Sequence, residues 1–155
     1  MSGALKNRIK QKTDFQSPAV EALLSLIVTA DFVRGRQNAF FAKYNLTNGQ
    51  YNVLRILRGA YPEGYASGEI AARMLENAPD VPRLTERLEA AALVSRNRLE
   101  SDRRVSIIMI TDKGLELLEE MQEEIEMNMQ FYNELLSEQE CRLLIEICEK
   151  IYTAE

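Results

Sequence analysis

Histidine is absent from the 155 residues. With it goes the commonest general acid-base side chain and the commonest metal ligand. Cysteine occurs twice, at Cys141 and Cys148. Two thiols neither build a disulfide scaffold nor complete a four-ligand zinc site, and they fit a reducing cytoplasm. No apolar run approaches the roughly 20 residues needed to cross a bilayer. The longest, from Ala19 to Ala30, is interrupted by Glu21 and Ser25. The basic stretch Met1 to Thr13 is not followed by an uninterrupted apolar segment and a small-residue cleavage site, so no signal peptide is expected. The G-x-S-x-G, phosphate-loop and dinucleotide motifs are missing as well. These absences argue against an enzyme, a metal or cofactor site, and a membrane protein.

What is present is the composition of a soluble globular chain, 46% hydrophobic and 28% charged. The length suits one compact domain with a dimerisation arm. The net charge of -5 is unevenly distributed. Residues 1–42 hold 6 Lys/Arg against 3 Asp/Glu, and residues 43–113 hold 11 against 9. Residues 114–155 hold 2 against 12, so the whole acidic excess lies in the last part of the chain. A surface for a polyanion has to be sought in the middle, where the arginines cluster.

Residues 1–16 read as a flexible basic N-terminus. Ser17-Pro18 opens a long helix, with serine as cap and proline in the first turn. Its apolar positions run from Val20, Leu23, Leu24, Ile27 and Val28 through Phe32 and Val33 to Phe40 and Phe41. Thr47-x-x-Gln50 is a capping box that starts a second helix, buried through Tyr51, Leu54, Ile56 and Leu57. Gly59 and Tyr61-Pro62-Glu63-Gly64 end it in a turn. Ser67 is expected to cap a third helix carrying Ile70, Ala71 and Met74. After the connector Asn77 to Asp80, a fourth helix spans Val81 to Ala91, with Asp80 as cap and Pro82 in its first turn.

The period then changes. Val94 to Leu99 and Val105 to Ile110 are strand-like, and the polar Glu100 to Arg104 joins them as a hairpin with a charged tip. Thr111 begins a long helix with an apolar stripe through Leu118, Met121, Ile125, Met129, Tyr132 and Leu136. Ser137-x-x-Glu140 is a second capping box, opening a last helix with Cys141, Leu144, Ile147, Cys148 and Ile151. The expected fold is mainly α with a small β-hairpin wing. It is a winged helix-turn-helix over residues 46–111, flanked by an N-terminal dimerisation helix over 17–45 and C-terminal dimerisation helices over 112–155. The long stripes of the flanking helices exceed what one small domain needs to bury.

Five segments, in order and at matching spacing, resemble the MarR (multiple-antibiotic-resistance regulator) family. They are Leu46-Thr47-x-x-Gln50-x-x-Val53-Leu54; Gly68-Glu69-Ile70-Ala71; Val81 through Val94-x-Arg96; Asp102-Arg103-Arg104; and Ile110-Thr111-x-x-Gly114. The resemblance covers about residues 17–152. It implies a cytoplasmic, homodimeric repressor that binds double-stranded DNA at a pseudo-palindromic operator and responds to a small-molecule effector. Two positions depart from the family pattern. Where the family usually has glycine, this chain has Ala92; a left-handed backbone there would cost alanine about 1 kcal/mol. Where the family often has a threonine or serine hydroxyl able to touch DNA, this chain has Pro82.

Arg83 and Arg87 are four apart and share a face of the fourth helix, with Thr85 and Glu86 near it. Arginine offers a bidentate fork for guanine or a contact for phosphate. The plainer reading is a solvated face on which these arginines pair with Glu86 or Glu89. Asp102 and Arg104 match the family's wing motif, which implies that Arg104 enters the minor groove and Asp102 orients the wing. A narrow minor groove attracts arginine; Arg103 and Arg98 would reach flanking phosphates. Tyr44, Tyr51 and Tyr61 surround the junction where the family binds effectors, and core packing is the plainer reading of each. Cys141 and Cys148 lie about 10.5 Å apart along one helix, too far for a bond within it. Two further readings stay open: a thiol-based redox-responsive regulator, and a winged protein-interaction module that does not bind DNA.

Overall fold

The computed structural model describes residues 3–75, 80–98 and 106–154. Among these residues, eight helices and three strands follow in the order α1 (Ala4–Ile9), α2 (Pro18–Ala42), α3 (Asn48–Gly59), β1 (Tyr65–Ala66), α4 (Ser67–Ala71), α5 (Val81–Ala90), β2 (Val94–Arg98), β3 (Ser106–Ile110), α6 (Asp112–Glu120), α7 (Gln122–Leu135) and α8 (Glu138–Tyr152). None of the described helices is long and apolar enough to cross a membrane.

The caps are those the local chemistry dictates. The Ser17 hydroxyl accepts the Val20 N–H at 3.3 Å. Thr47 and Gln50 close their box in both directions, at 3.2 and 2.8 Å. Ser137 and Glu140 do the same at the start of α8. Each satisfies backbone N–H groups that a helix start leaves without partners.

The antiparallel sheet has the order β1-β3-β2. Val94 faces Ile110 and Arg98 faces Ser106 across the hairpin, and Tyr65 faces Ile108 on the other side. The strand β1 is only two residues long, which places it below what alternation in a sequence can reveal. Gly64 lets it approach. The backbone there is left-handed (φ 77), and a Cβ would stand 2.2 Å from the Ile108 carbonyl oxygen.

The core sits in the winged unit. Leu54 and Leu57 from α3, Ile70 from α4, Leu88 from α5, Ile108 from β3 and Leu118 from α6 are all fully enclosed. The helices α7 and α8 bury no residue completely, and α2 buries only Phe40 and Phe41 near its end. Their apolar stripes, including Leu23, Ile27, Phe131, Leu144, Ile147 and Ile151, stay exposed in the single chain.

Four local expectations change. Residues Ala4–Ile9 form a helix, ended by Lys10 in a left-handed conformation, where the sequence predicts a flexible segment. Lys6 pairs with Asp14 beyond it. Ser67 is the first residue of α4 rather than its cap; Ala66 occupies the cap, and its N–H goes to the Glu69 carboxylate at 3.3 Å. The helix ends at Ala71 instead of reaching Met74, because Arg73 and Met74 tighten to i→i+3 bonds of 3.0 and 3.2 Å. The single helix expected from Thr111 onward divides at Met121, which is fully buried and has φ -75 and ψ -16.

Candidate nucleic-acid interface

The helix α5 is built to show one side. Asp80 accepts the Arg83 N–H at 3.2 Å and fixes its start. Pro82 occupies the first turn, where a missing N–H costs little. Val81, Thr85 and Leu88 point inward at helical spacing, while Pro82, Arg83, Glu86 and Arg87 are exposed. Leu84 is half-buried and packs over Gly49 at the start of α3.

Thr85 is a correction. The sequence reading puts it near the DNA-facing side, yet it is completely enclosed, and its hydroxyl donates back to the Val81 and Pro82 carbonyls at 2.9 and 3.0 Å. A buried hydroxyl needs a partner, and the preceding helical turn supplies it. Residue 85 also lies two positions from both arginines, which turns it almost to the opposite side of a helix.

Among the described residues, neither Arg83 nor Arg87 has a carboxylate within ion-pairing distance. Pairing with Glu89 is not realised, because Glu89 faces Arg96 on β2, with Oε2 3.5 Å from Nε. The two guanidiniums therefore stand solvated on an exposed helix face.

The exit from α5 explains two motif positions. Ala92 adopts φ 60, so the left-handed backbone anticipated from the sequence is present. Its carbonyl accepts the Thr111 hydroxyl at 2.8 Å. That hydroxyl in turn accepts the Gly114 N–H at 3.1 Å. A Cβ on Gly114 would lie 2.4 Å from the Leu93 carbonyl oxygen. Thr111-x-x-Gly114 thus locks the end of α5, the end of β3 and the start of α6 together.

Of the wing residues, Arg98 ends β2, with its backbone opposite Ser106. Asp102, Arg103 and Arg104 lie outside the described residues. Below the wing, the Arg73 guanidinium stacks 4.1 Å over the Tyr65 ring and donates to the Glu69 carbonyl at 2.8 Å.

The three tyrosines do not form one site. Tyr51 stacks on Phe41, with ring centroids 4.3 Å apart, and lines a cavity of about 330 Å³ with Arg36, Phe40, Arg55 and Tyr132. Tyr44 lines a different hollow, of about 410 Å³, beside Gln50, Arg87 and Lys113. Its hydroxyl donates to Glu124 at 3.1 Å. Tyr61 is exposed in the turn after α3 and lines neither. The sequence reading missed Arg36 and Arg55. Arg55 stands one turn after Tyr51 and donates to its hydroxyl at 3.3 Å; that i, i+4 spacing was the available signal. Arg36 is stacked 4.4 Å over Phe131, far away in sequence.

Cys141 and Cys148 are free and half-buried, and Cys148 lines a groove between α2 and α8 with Leu26 and Ile147. Both suit the role of small apolar packing residues.

An exposed arginine-bearing helix, seated on a helical core and followed by an antiparallel hairpin, defines a winged helix-turn-helix DNA-binding protein. No protein-family model matches the chain. An uncharacterised HTH-type transcriptional regulator of Bacillus cereus is 26% identical over 116 residues, 74% of this chain and 76% of that protein. The crystal structure of a MarR transcription factor from Planctomyces limnophilus is 37% identical, with a TM-score of 0.70, covering 88% of this chain and 98% of that one. The S. aureus MepR–DNA complex shares the fold at a TM-score of 0.74 and 21% identity, over 90% of this chain and 98% of that one. The chain belongs to the MarR family of transcription factors. Its relatives are transcription regulators, not enzymes.

Proposed function

We propose that this protein is a cytoplasmic homodimeric repressor that reads a pseudo-palindromic operator and is released by a small-molecule effector. The observation that carries DNA reading is the pair Arg83 and Arg87, exposed on α5 and without carboxylate partners among the described residues. Each side chain can fork onto a guanine or neutralise a phosphate. By the family resemblance, Arg104 would extend the contact to the minor groove, Asp102 would orient the wing, and Arg103 and Arg98 would reach flanking phosphates. Pro82 and Glu86 complete the outer face of α5; Pro82 brings no hydroxyl to a base.

Dimerisation is supported by the exposed apolar stripes of α2, α7 and α8, which a second copy would cover. Two copies related by a twofold axis present two recognition helices to half-sites about one helical turn apart. Effector binding is supported by the cavity containing Tyr51. Its walls combine aromatic rings with Arg36 and Arg55, neither of which has a carboxylate within ion-pairing distance among the described residues. A planar aromatic carboxylate matches that lining. Release requires such a ligand to bind the DNA-incompetent state more tightly.

The test is fluorescence anisotropy with DNA from upstream of the protein's own gene, across a salt series. Specific binding that weakens steeply with salt and falls on Arg87→Ala or Arg104→Ala upholds the reading. Weak binding that is blind to sequence and to both substitutions rejects it.

A further inference from the structure

Arg83 and Arg87 mark one side of α5, and a second side carries Thr85 and Glu89. Thr85 and Glu89 are one turn apart and form a stripe about 200° around the helix from Arg83 and Arg87. A single side chain from the sheet engages both members of that stripe. Arg96 on β2 places Nε 3.5 Å from the Glu89 carboxylate and donates from Nη2 to the Thr85 hydroxyl at 3.4 Å. Thr85 accepts while its own proton is committed to the Val81 and Pro82 carbonyls, at 2.9 and 3.0 Å. Arginine is the one cation whose planar fork reaches two acceptors in fixed geometry.

We propose that Arg96 is a positioning residue for DNA recognition: it grips the rear of α5 and sets the rotation of the helix relative to the wing strand. This rests on the DNA-binding reading above. Rotation about the helix axis decides whether Arg83 and Arg87 meet base edges or only the backbone. It has less effect on how strongly a cationic face is drawn to phosphate. The wing follows from the same strand two residues later, at Arg98, so one side chain couples the two DNA-contacting elements. The Arg96 side chain is partly exposed, and its guanidinium rests on Thr85 and Glu89.

The experiment uses the full chain and a duplex enriched by the wild-type protein from a random-sequence pool, with a scrambled duplex of the same composition alongside. Arg96→Gln is expected to weaken binding to the enriched duplex about fivefold, the scale of a broken contact network. Binding to the scrambled duplex and the slope of log affinity against log salt should stay unchanged. Glu89→Gln should give a smaller loss of the same kind, and the double variant less than the product of the two. Arg96→Lys should rescue only part, since an ammonium cannot serve both acceptors.

A salt slope that drops by about 0.9 in Arg96→Gln makes Arg96 a direct phosphate contact and overturns the proposal. Equal losses on both duplexes, or no loss, overturn it too. Should Arg96→Gln fail to fold by circular dichroism, Glu89→Gln decides, because it removes one arm of the grip without disturbing the buried hydroxyl; unchanged specificity in that variant rejects the role. A wild-type protein that enriches no duplex overturns the DNA-binding reading itself, and this inference with it.

Discussion

The Lys43 ammonium lies 2.8 Å from the Glu124 carboxylate, across 81 positions of sequence. The Tyr44 hydroxyl donates to the other oxygen of the same carboxylate at 3.1 Å. One acidic side chain of α7 thereby ties the end of α2 to the C-terminal helices, beside the hollow that Tyr44 lines.

That tie gives a pH dependence with a definite sign. The hydrogen bond from Lys43, and then that from Tyr44, hold the Glu124 carboxyl below its ordinary value of 4.5. A depressed carboxylate stabilises the fold above its unfolded pKa, and that stability is lost as pH falls through the folded value. Thermal melts from pH 6 down to about pH 3 should show a steeper acid loss in the wild type than in Glu124→Gln. Parallel curves would deny the tie any role. At the alkaline end Lys43 is raised by its bond to Glu124, and Tyr44 chiefly by burial. The tie therefore weakens again as pH rises through their raised values.

Ala92 at φ 60 is a strained position. Ala92→Gly should raise stability by about 1 kcal/mol. The check is a urea titration in which the midpoint rises while the slope stays constant. DNA affinity should not change, because the strain lies in the turn behind α5.

The burial of Thr85 separates it from the arginines beside it. Thr85→Val should lower stability by about 1 kcal/mol through the lost hydroxyl bonds, and it should weaken operator binding only as far as the loss of one of the two acceptors of Arg96 allows, less than Arg96→Gln does. Arg83→Ala and Arg87→Ala should do the reverse, each weakening operator binding by about 1–3 kcal/mol where the contact is to a base, with little effect on melting temperature. A base-selection profile for the three variants separates these outcomes.

The exposed stripe of α8 makes a prediction about assembly. Ile147 is 47% exposed in the single chain. Ile147→Glu should turn the proposed dimer into a monomer in sedimentation equilibrium and reduce operator affinity along with it. A variant that remains dimeric would move the interface to another face.

Much of this architecture was legible in the chain itself, wherever the interaction that makes a structure is local. The capping pairs Thr47 with Gln50 and Ser137 with Glu140 act within one turn, and so do Asp80 and Pro82 at the start of α5. The hairpin from Val94 was legible because alternation has a period of two. The left-handed Ala92 was legible from the place of a family glycine. Tertiary structure decided what depends on partners distant in sequence. It turned Thr85 inward, because Thr85 shares a face of α5 with Val81 and Leu88, which enter the core. It separated Tyr44, Tyr51 and Tyr61: Glu124 holds the first, Phe41 stacks on the second, and the third stays exposed in a turn. It brought Arg36 and Arg55 to one cavity, and it placed Arg96 behind α5. Sequence spacing fixes which residues share a face of an element; only packing fixes which way that face turns.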